Sequence, residues 1–173
     1  ILYILDKKVY NTSILEKRIL SGKLIQVENV TKRYGKFRAL RDATFTAGKG
    51  EIHAVLGPNG AGKTTMFRCM LGLLNFEGSI TVDGNDVRKG GKWIRGQVGY
   101  LPQHSSPYDD MTVEENLKFY AALKRIPFSR VEESLKEIRL TRFRARKAGA
   151  LSGGMKQRLM LGISQLSDPP ILI

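Results

Sequence analysis

One cysteine, Cys69, stands in a chain of 173 residues, so no internal disulfide can form. That scarcity points to a reducing, cytosolic compartment. Long apolar runs are missing too: Ile1 to Leu5 and Phe119 to Leu123 are the longest, far short of the roughly 20 residues that span a bilayer. No signal-peptide architecture follows the first run, so the chain is expected to be soluble or peripheral at a membrane. Neither an internal repeat nor a low-complexity tract occurs. Acidic residues are few, with 16 Asp and Glu against 29 Lys and Arg, a formal net charge of +13. A surplus of that size attracts phosphate, nucleic acid or anionic lipid surfaces. It is concentrated between Lys124 and Arg158, where Arg139, Arg142, Arg144, Arg146 and Lys147 crowd together against Glu132, Glu133 and Glu137. Aromatic residues do not interleave with these cations as a single-strand-binding groove would require, so a basic face toward a partner and a solvated helix face both stay open.

What the chain does have is glycine at telling positions. Gly57-Pro58-Asn59-Gly60-Ala61-Gly62-Lys63-Thr64-Thr65 follows the pattern G-x-x-x-x-G-K-[ST]. Before it, Ile52, Ala54, Val55 and Leu56 form an apolar run of buried-strand length. After it, Met66, Phe67, Met70, Leu71 and Leu74 recur at helical spacing, a stretch on which Cys69 is assigned to packing. Strand, loop and helix in that order let successive backbone N–H groups converge on an anion at a helix N-terminus, where the helix dipole adds roughly 0.3 to 1 kcal/mol. The loop is therefore expected to hold the phosphates of a nucleoside triphosphate. Lys63 supplies a point charge at the β- and γ-phosphates, and the Thr64 hydroxyl takes a place on Mg²⁺.

A length of 173 residues with 42% hydrophobic content suits one domain and leaves no room for a second complete one. Both ends read as boundaries within a larger protein: Ile1 is not an initiator methionine, and Ile171-Leu172-Ile173 reads as a strand cut short. Residues 1–22 form an extension of unassigned role, with a short helix possible over Ile14, Leu15, Ile19 and Leu20. Strands are expected at Leu24 to Val27, Ala43 to Thr46 and Ser79 to Val82, the last ending in an Asp83-Gly84 turn. After Gln103 the pattern becomes helical. Thr112-x-x-Glu115 and Ser129-x-x-Glu132 read as capping boxes opening two helices. A third begins near Ser152, carries Met155, Leu159, Ile163 and Leu166 on one stripe, and stops at Asp168-Pro169-Pro170.

About ninety residues beyond the phosphate loop comes a second glycine motif, Leu151-Ser152-Gly153-Gly154-Met155-Lys156-Gln157-Arg158. With Ser152 as N-cap, the two glycines would let backbone N–H groups reach a phosphate at a helix start. It resembles the signature motif of ABC-type ATPases. The resemblance covers roughly Leu24 to Ile173 and includes further residues in the order the family requires. Tyr34, in Lys32-Arg33-Tyr34-Gly35, sits where the family places a ring against adenine, a contact worth roughly 1 to 3 kcal/mol by analogy with base stacking. Gln103, in Gly99-Tyr100-Leu101-Pro102-Gln103, matches the glutamine whose loop reaches Mg²⁺ and the attacking water. Gly149-Ala150 and the preceding basic run occupy the segment that lies against the membrane subunit in family exporters.

The resemblance implies a P-loop α/β fold of ABC-ATPase type, with a mixed β/α core over about 23–103 and 167–173 and a helical subdomain inserted over about 104–166. It implies ATP and Mg²⁺ as cofactors and Lys63 and Gln103 as catalytic residues. Tyr34, residues 57–65 and Gln103 would hold nucleotide, with Thr64 and Gln103 on the metal. Leu151, Ser152, Gly153, Gly154 and Gln157 would act on ATP held by a second, head-to-tail nucleotide-binding domain. A separate membrane permease, at the inner face of the cell membrane, completes the expected assembly. The order Glu115-Asn116-Leu117 leans toward exporters. The family's Mg²⁺ aspartate and water-polarising glutamate are expected just after the strand that Ile171-Leu172-Ile173 resembles, and its switch histidine further on, so the sequence stops before all three; Asp109 and Asp110 sit in a loop that nothing places near the γ-phosphate, and His53 and His104 read as structural. Two alternatives accompany this reading: a soluble ABC ATPase acting on ribosomes or nucleic acid, and a nucleotide-binding fragment without turnover. Against action on DNA, fewer than ninety residues separate Thr65 from Leu151, too few for the long coiled coils usual in such members.

Overall fold

The computed structural model describes residues 2–4 and 23–173. They divide into two compact units, one up to Val98 together with Ile173, the other Gly99–Leu172.

In the first unit the long strands β2 (Lys23–Tyr34) and β3 (Phe37–Gly48) pair antiparallel, with Val27 opposite Phe45 and Tyr34 opposite Phe37. On the other edge of β2 lies β5 (Glu77–Val82), with Ile25 opposite Val82 and Val27 opposite Ile80, and β6 (Asn85–Asp86) completes the order β3-β2-β5-β6. The turn between β5 and β6 has both central residues at positive φ, 47° for Asp83 and 76° for Gly84. That is the type I′ geometry whose twist matches the flanking strands. Ile25, Val27, Val30, Ile80 and Val82 are buried in this sheet, and Met66, Cys69 and Met70 are buried on helix α1 (Lys63–Met70). Helix α2 (Gly91–Gln97) contributes Ile94.

The second unit is a three-helix cluster. Helices α3 (Val113–Leu123), α4 (Ser129–Glu137) and α5 (Gly153–Gln165) bury Val113, Leu117 and Ala121, then Val131 and Leu135, then Leu159, Met160 and Ile163 against one another. Each fully buried Leu or Ile contributes roughly 1.5 to 3 kcal/mol relative to exposure. Gly162 sets how closely α5 meets α4, because a Cβ there would stand 2.9 Å from both Ser134 Oγ and Ile138 Cγ2. Strand β7 (Val98–Gly99) ends at this unit, and β8 (Ile171–Leu172) lies against Gly99, where a Cβ would run into the Leu172 side chain.

Three sequence expectations change. The run Ile52 to Leu56 forms only a two-residue strand, β4 (Ile52–His53), paired with β1 (Leu2–Ile4). Ile52 is 68% and Leu56 87% exposed, so this is not a buried strand: an apolar run is buried only where layers cover both its faces. Ser129-x-x-Glu132 is not a capping box. Pro127 sets φ and starts the turn one residue early, with Arg130 N–H donating to Pro127 O at 3.0 Å and Val131 N–H to Phe128 O at 3.0 Å. Ser129 is thereby drawn into the helix, and Phe128 stands at the cap with no side-chain hydrogen bond. The strand signals near Leu24 and Ala43 belong to twelve-residue strands whose register shifts break the simple alternation. The short helix expected over Ile14 to Leu20 lies outside the described residues.

Candidate nucleotide-binding site

In the first unit the glycine loop runs directly into α1, whose N-cap is Gly62 at φ 91° with no side-chain cap. The first intrahelical bond runs from Met66 N–H to Gly62 O at 2.8 Å, so the earlier N–H groups of the turn have no partner inside the helix. Those are the donors an anion would use. No acidic residue occupies the first turn of α1 to compete for them.

Two contacts shape the loop. Ala61 N–H donates to Pro58 O at 3.2 Å, closing a turn inside the motif. Lys63 reaches back across the loop, and its ammonium donates to Gly57 O at 2.6 Å and Pro58 O at 2.8 Å. The cation is thus held over the loop by two neutral carbonyls, and among the described residues no carboxylate hydrogen-bonds it. A polyphosphate offers it better acceptors, since hydrogen bonds between ionised partners are shorter and roughly twice as strong as neutral ones. Thr64 is exposed on the outside of this turn, where its hydroxyl is available to a hydrated metal ion. Gly62 cannot be replaced without movement: its backbone is left-handed, and a Cβ would press on the Ala39 carbonyl oxygen and stand 2.9 Å from Leu40 Cδ2.

That contact identifies participants which sequence reasoning missed. Phe37, Arg38, Ala39, Leu40, Arg41 and Ala43 of β3 line a groove of about 400 Å³ together with Gly60 and Ala61 of the loop. Their separation of about twenty residues from the loop carries no motif, and only tertiary packing of the loop on β3 brings them to it. Tyr34 ends β2 in the same unit, 46% exposed, with the Lys32 ammonium 5.2 Å from its ring centroid. One face of the ring is therefore taken by the Lys32 cation, and the residue's exposure leaves part of the ring accessible.

The remaining predicted residues lie in the second unit. Gln103 is exposed in a turn closed by Ser105 Oγ donating to Pro102 O at 2.8 Å. Leu151 is buried, and Ser152 caps α5 by accepting from Met155 N–H at 3.4 Å. Gly153, Gly154 and Gln157 are exposed, and a Cβ at either glycine would meet no atom within 4 Å. The helix start is thus open around both glycines. His53 pairs with Glu51 at 2.7 Å, a structural contact at the turn before β4. The basic run is partly compensated: Arg144 bonds Glu114 (Nε, 2.8 Å) and Glu132, Arg130 bonds Glu133 and Glu137, and Arg146 lies 5.1 Å from the Phe143 ring.

Residues 40–173 match the family model described as ABC transporter. The chain belongs to the ABC transporter family. It is 38% identical over 148 residues to ABC transporter A family member 2 of Arabidopsis thaliana, covering 82% of this chain and 15% of that protein. It is 36% identical over 155 residues to the sulfate/thiosulfate import ATP-binding protein of Nocardia farcinica, covering 87% of this chain and 46% of that one. Among solved structures, an ATP binding subunit of an ABC transporter superposes with a TM-score of 0.70 at 31% identity, over 84% of this chain and 63% of its own. The fold is accordingly the P-loop NTPase fold of ABC ATPase cassettes. This ABC chain spans less than two thirds of each of these relatives.

Proposed function

We propose that residues 57–65 bind the phosphates of ATP, with Mg²⁺ held by Thr64 and Gln103, and that Tyr34 stacks on the base. The observation that carries this reading is the Lys63 ammonium on the carbonyls of Gly57 and Pro58 beside the uncapped start of α1. The residues suit the ligand: a glycine cradle, helix N–H groups without intrahelical partners, a cation and a hydroxyl all lie within residues 57–65. In the parent protein, hydrolysis of ATP powers transport through a separate membrane permease. Gln103 aids the attacking water, and Lys63 stabilises charge developing on the phosphates. Leu151 to Gly154 and Gln157 close on nucleotide held by a second nucleotide-binding domain arranged head to tail. The subunit works from the cytoplasmic side, peripheral to the membrane, and among the described residues no helix is long and apolar enough to cross it. Residues 1–173 by themselves bind nucleotide with impaired turnover, because the family's two carboxylates have no counterpart among them.

Export is preferred on the Glu115-Asn116-Leu117 order, although the Nocardia farcinica relative is named for import. Calorimetry with Mg-ATP tests the site. Binding by the chain, lost in Lys63→Ala, is expected; equal affinity in the variant would sink the reading. Transport direction is decided by ATP-driven flux in vesicles carrying the parent protein and its permease.

A further inference from the structure

We propose that Asp109 is a positioning residue for the start of α5, holding Ser152, Gly153 and Gly154 in place through two bonds that flank them. The inference rests on the reading of that helix start as a nucleotide-facing element. On the near side, Asp109 O accepts the N–H of Gly149 at 2.9 Å, in the 3₁₀ turn Ala148–Ala150 that leads into Leu151. A Cβ on Gly149 would stand 3.2 Å from that same oxygen, so the approach is close. On the far side, Asp109 Oδ1 accepts from Lys156 Nζ at 2.8 Å, one turn into α5. One residue therefore grips the chain on both sides of the glycines, which have no side chain of their own to fix them.

The residues on either side of Asp109 are held. Fully buried Asn116 accepts from Tyr108 N–H at 2.9 Å and donates to Tyr108 O at 3.0 Å, Met111 O at 3.4 Å and Thr112 O at 3.0 Å. The segment leading into the helix start is laced to the same loop: Ala148 N–H donates to Met111 O at 2.8 Å, Val113 N–H to Arg146 O at 3.0 Å, and Glu114 N–H to Arg144 O at 3.1 Å. The first two N–H groups of α3 are thus satisfied by carbonyls of the basic run. Any displacement of residues 108–112 is passed to the start of α5.

The Asp109–Lys156 pair is solvent-exposed, with 60% and 29% of the side chains accessible. Exposed pairs add little to stability. Its removal leaves the fold standing, which separates positioning from folding. A small misplacement at a reacting centre, by contrast, can cost up to about 100-fold in rate.

The test uses the full-length parent protein with its permease, comparing wild type, Asp109→Ala, Lys156→Met and the reversed pair Asp109→Lys with Lys156→Asp. Each single variant is expected to lower kcat for ATP about tenfold with KM nearly unchanged. The reversed pair is expected to recover most of the loss. In parallel, hydrogen exchange at the amides of Gly153 to Met155 is expected to quicken in Asp109→Ala and slow again in the reversed pair. Unchanged exchange in Asp109→Ala, or a reversed pair no better than the single variants, overturns the proposal. A wild-type protein that turns over no ATP overturns the functional reading instead, and the exchange measurement still decides the role of Asp109.

Discussion

Gly62 is seated against Ala39, with its α-carbon facing the Ala39 carbonyl oxygen so closely that no Cβ could be placed between them. This contact joins the phosphate loop to the start of β3, and φ at Gly62 is 91°. Gly62→Ala is therefore expected to combine backbone strain of about 1 to 3 kcal/mol with displacement of the loop. Thermal unfolding should show a lower Tm, and calorimetry should show Mg-ATP affinity reduced by at least tenfold. Gly60→Ala, where a Cβ would meet nothing within 4 Å, serves as the comparison with strain but no collision.

Asn116 organises a buried turn with all of its amide capacity. Asn116→Ala removes the acceptor of Tyr108 N–H and the donor to three carbonyls, at a cost of about 1 to 3 kcal/mol for groups left buried without partners. Asn116→Asp should be at least as damaging at neutral pH, because a carboxylate would face those carbonyls with no proton to donate. Denaturant unfolding of the three proteins checks the order.

Glu114 titrates far from its ordinary range. Hydrogen bonds from the Arg144 guanidinium, then from Lys118, hold its carboxyl down at about 2 against an ordinary 4.5. A carboxylate depressed in the folded state stabilises it above the unfolded value, and that contribution disappears as pH falls from 4.5 toward 2. The Tm difference between wild type and Glu114→Gln should be largest near neutral pH and shrink through this window. A difference independent of pH would contradict the assignment.

The two helix starts of the second unit should respond differently to the same truncation. Thr112 accepts Glu115 N–H at 3.1 Å while Glu115 Oε2 accepts Thr112 N–H at 2.7 Å, so Thr112→Ala should cost about 1 kcal/mol. Ser129 makes no cap, and Ser129→Ala should stay within about 0.5 kcal/mol of wild type. Equal losses in the two variants, measured by chemical denaturation, would show that the caps do not differ.

Much of this molecule is written in short-range chemistry, and that part is legible from residues alone. Gly57 to Thr65 opens a helix, Asp83-Gly84 makes a type I′ turn, Thr112 and Glu115 cap each other, and Ser152 caps α5, because each depends on atoms within a few positions along the chain. The stripe Leu159, Ile163 and Leu166 is buried as helical periodicity requires. What escaped the sequence depends on distant segments. Burial of Ile52 and Leu56 needs layers above and below them, and an apolar run does not say whether those layers are present. Ser129 is the local exception: it looks like Thr112 until Pro127, two positions earlier, moves the helix start by one residue. That Ala39 would floor the phosphate loop, or that Asp109 would brace the start of α5 from more than forty positions away, follows from strand pairing and helix packing, which bring together residues that no local pattern relates. Residue chemistry by itself determined which groups can hold a phosphate; tertiary packing decided how rigidly, and by which neighbours, those groups are held.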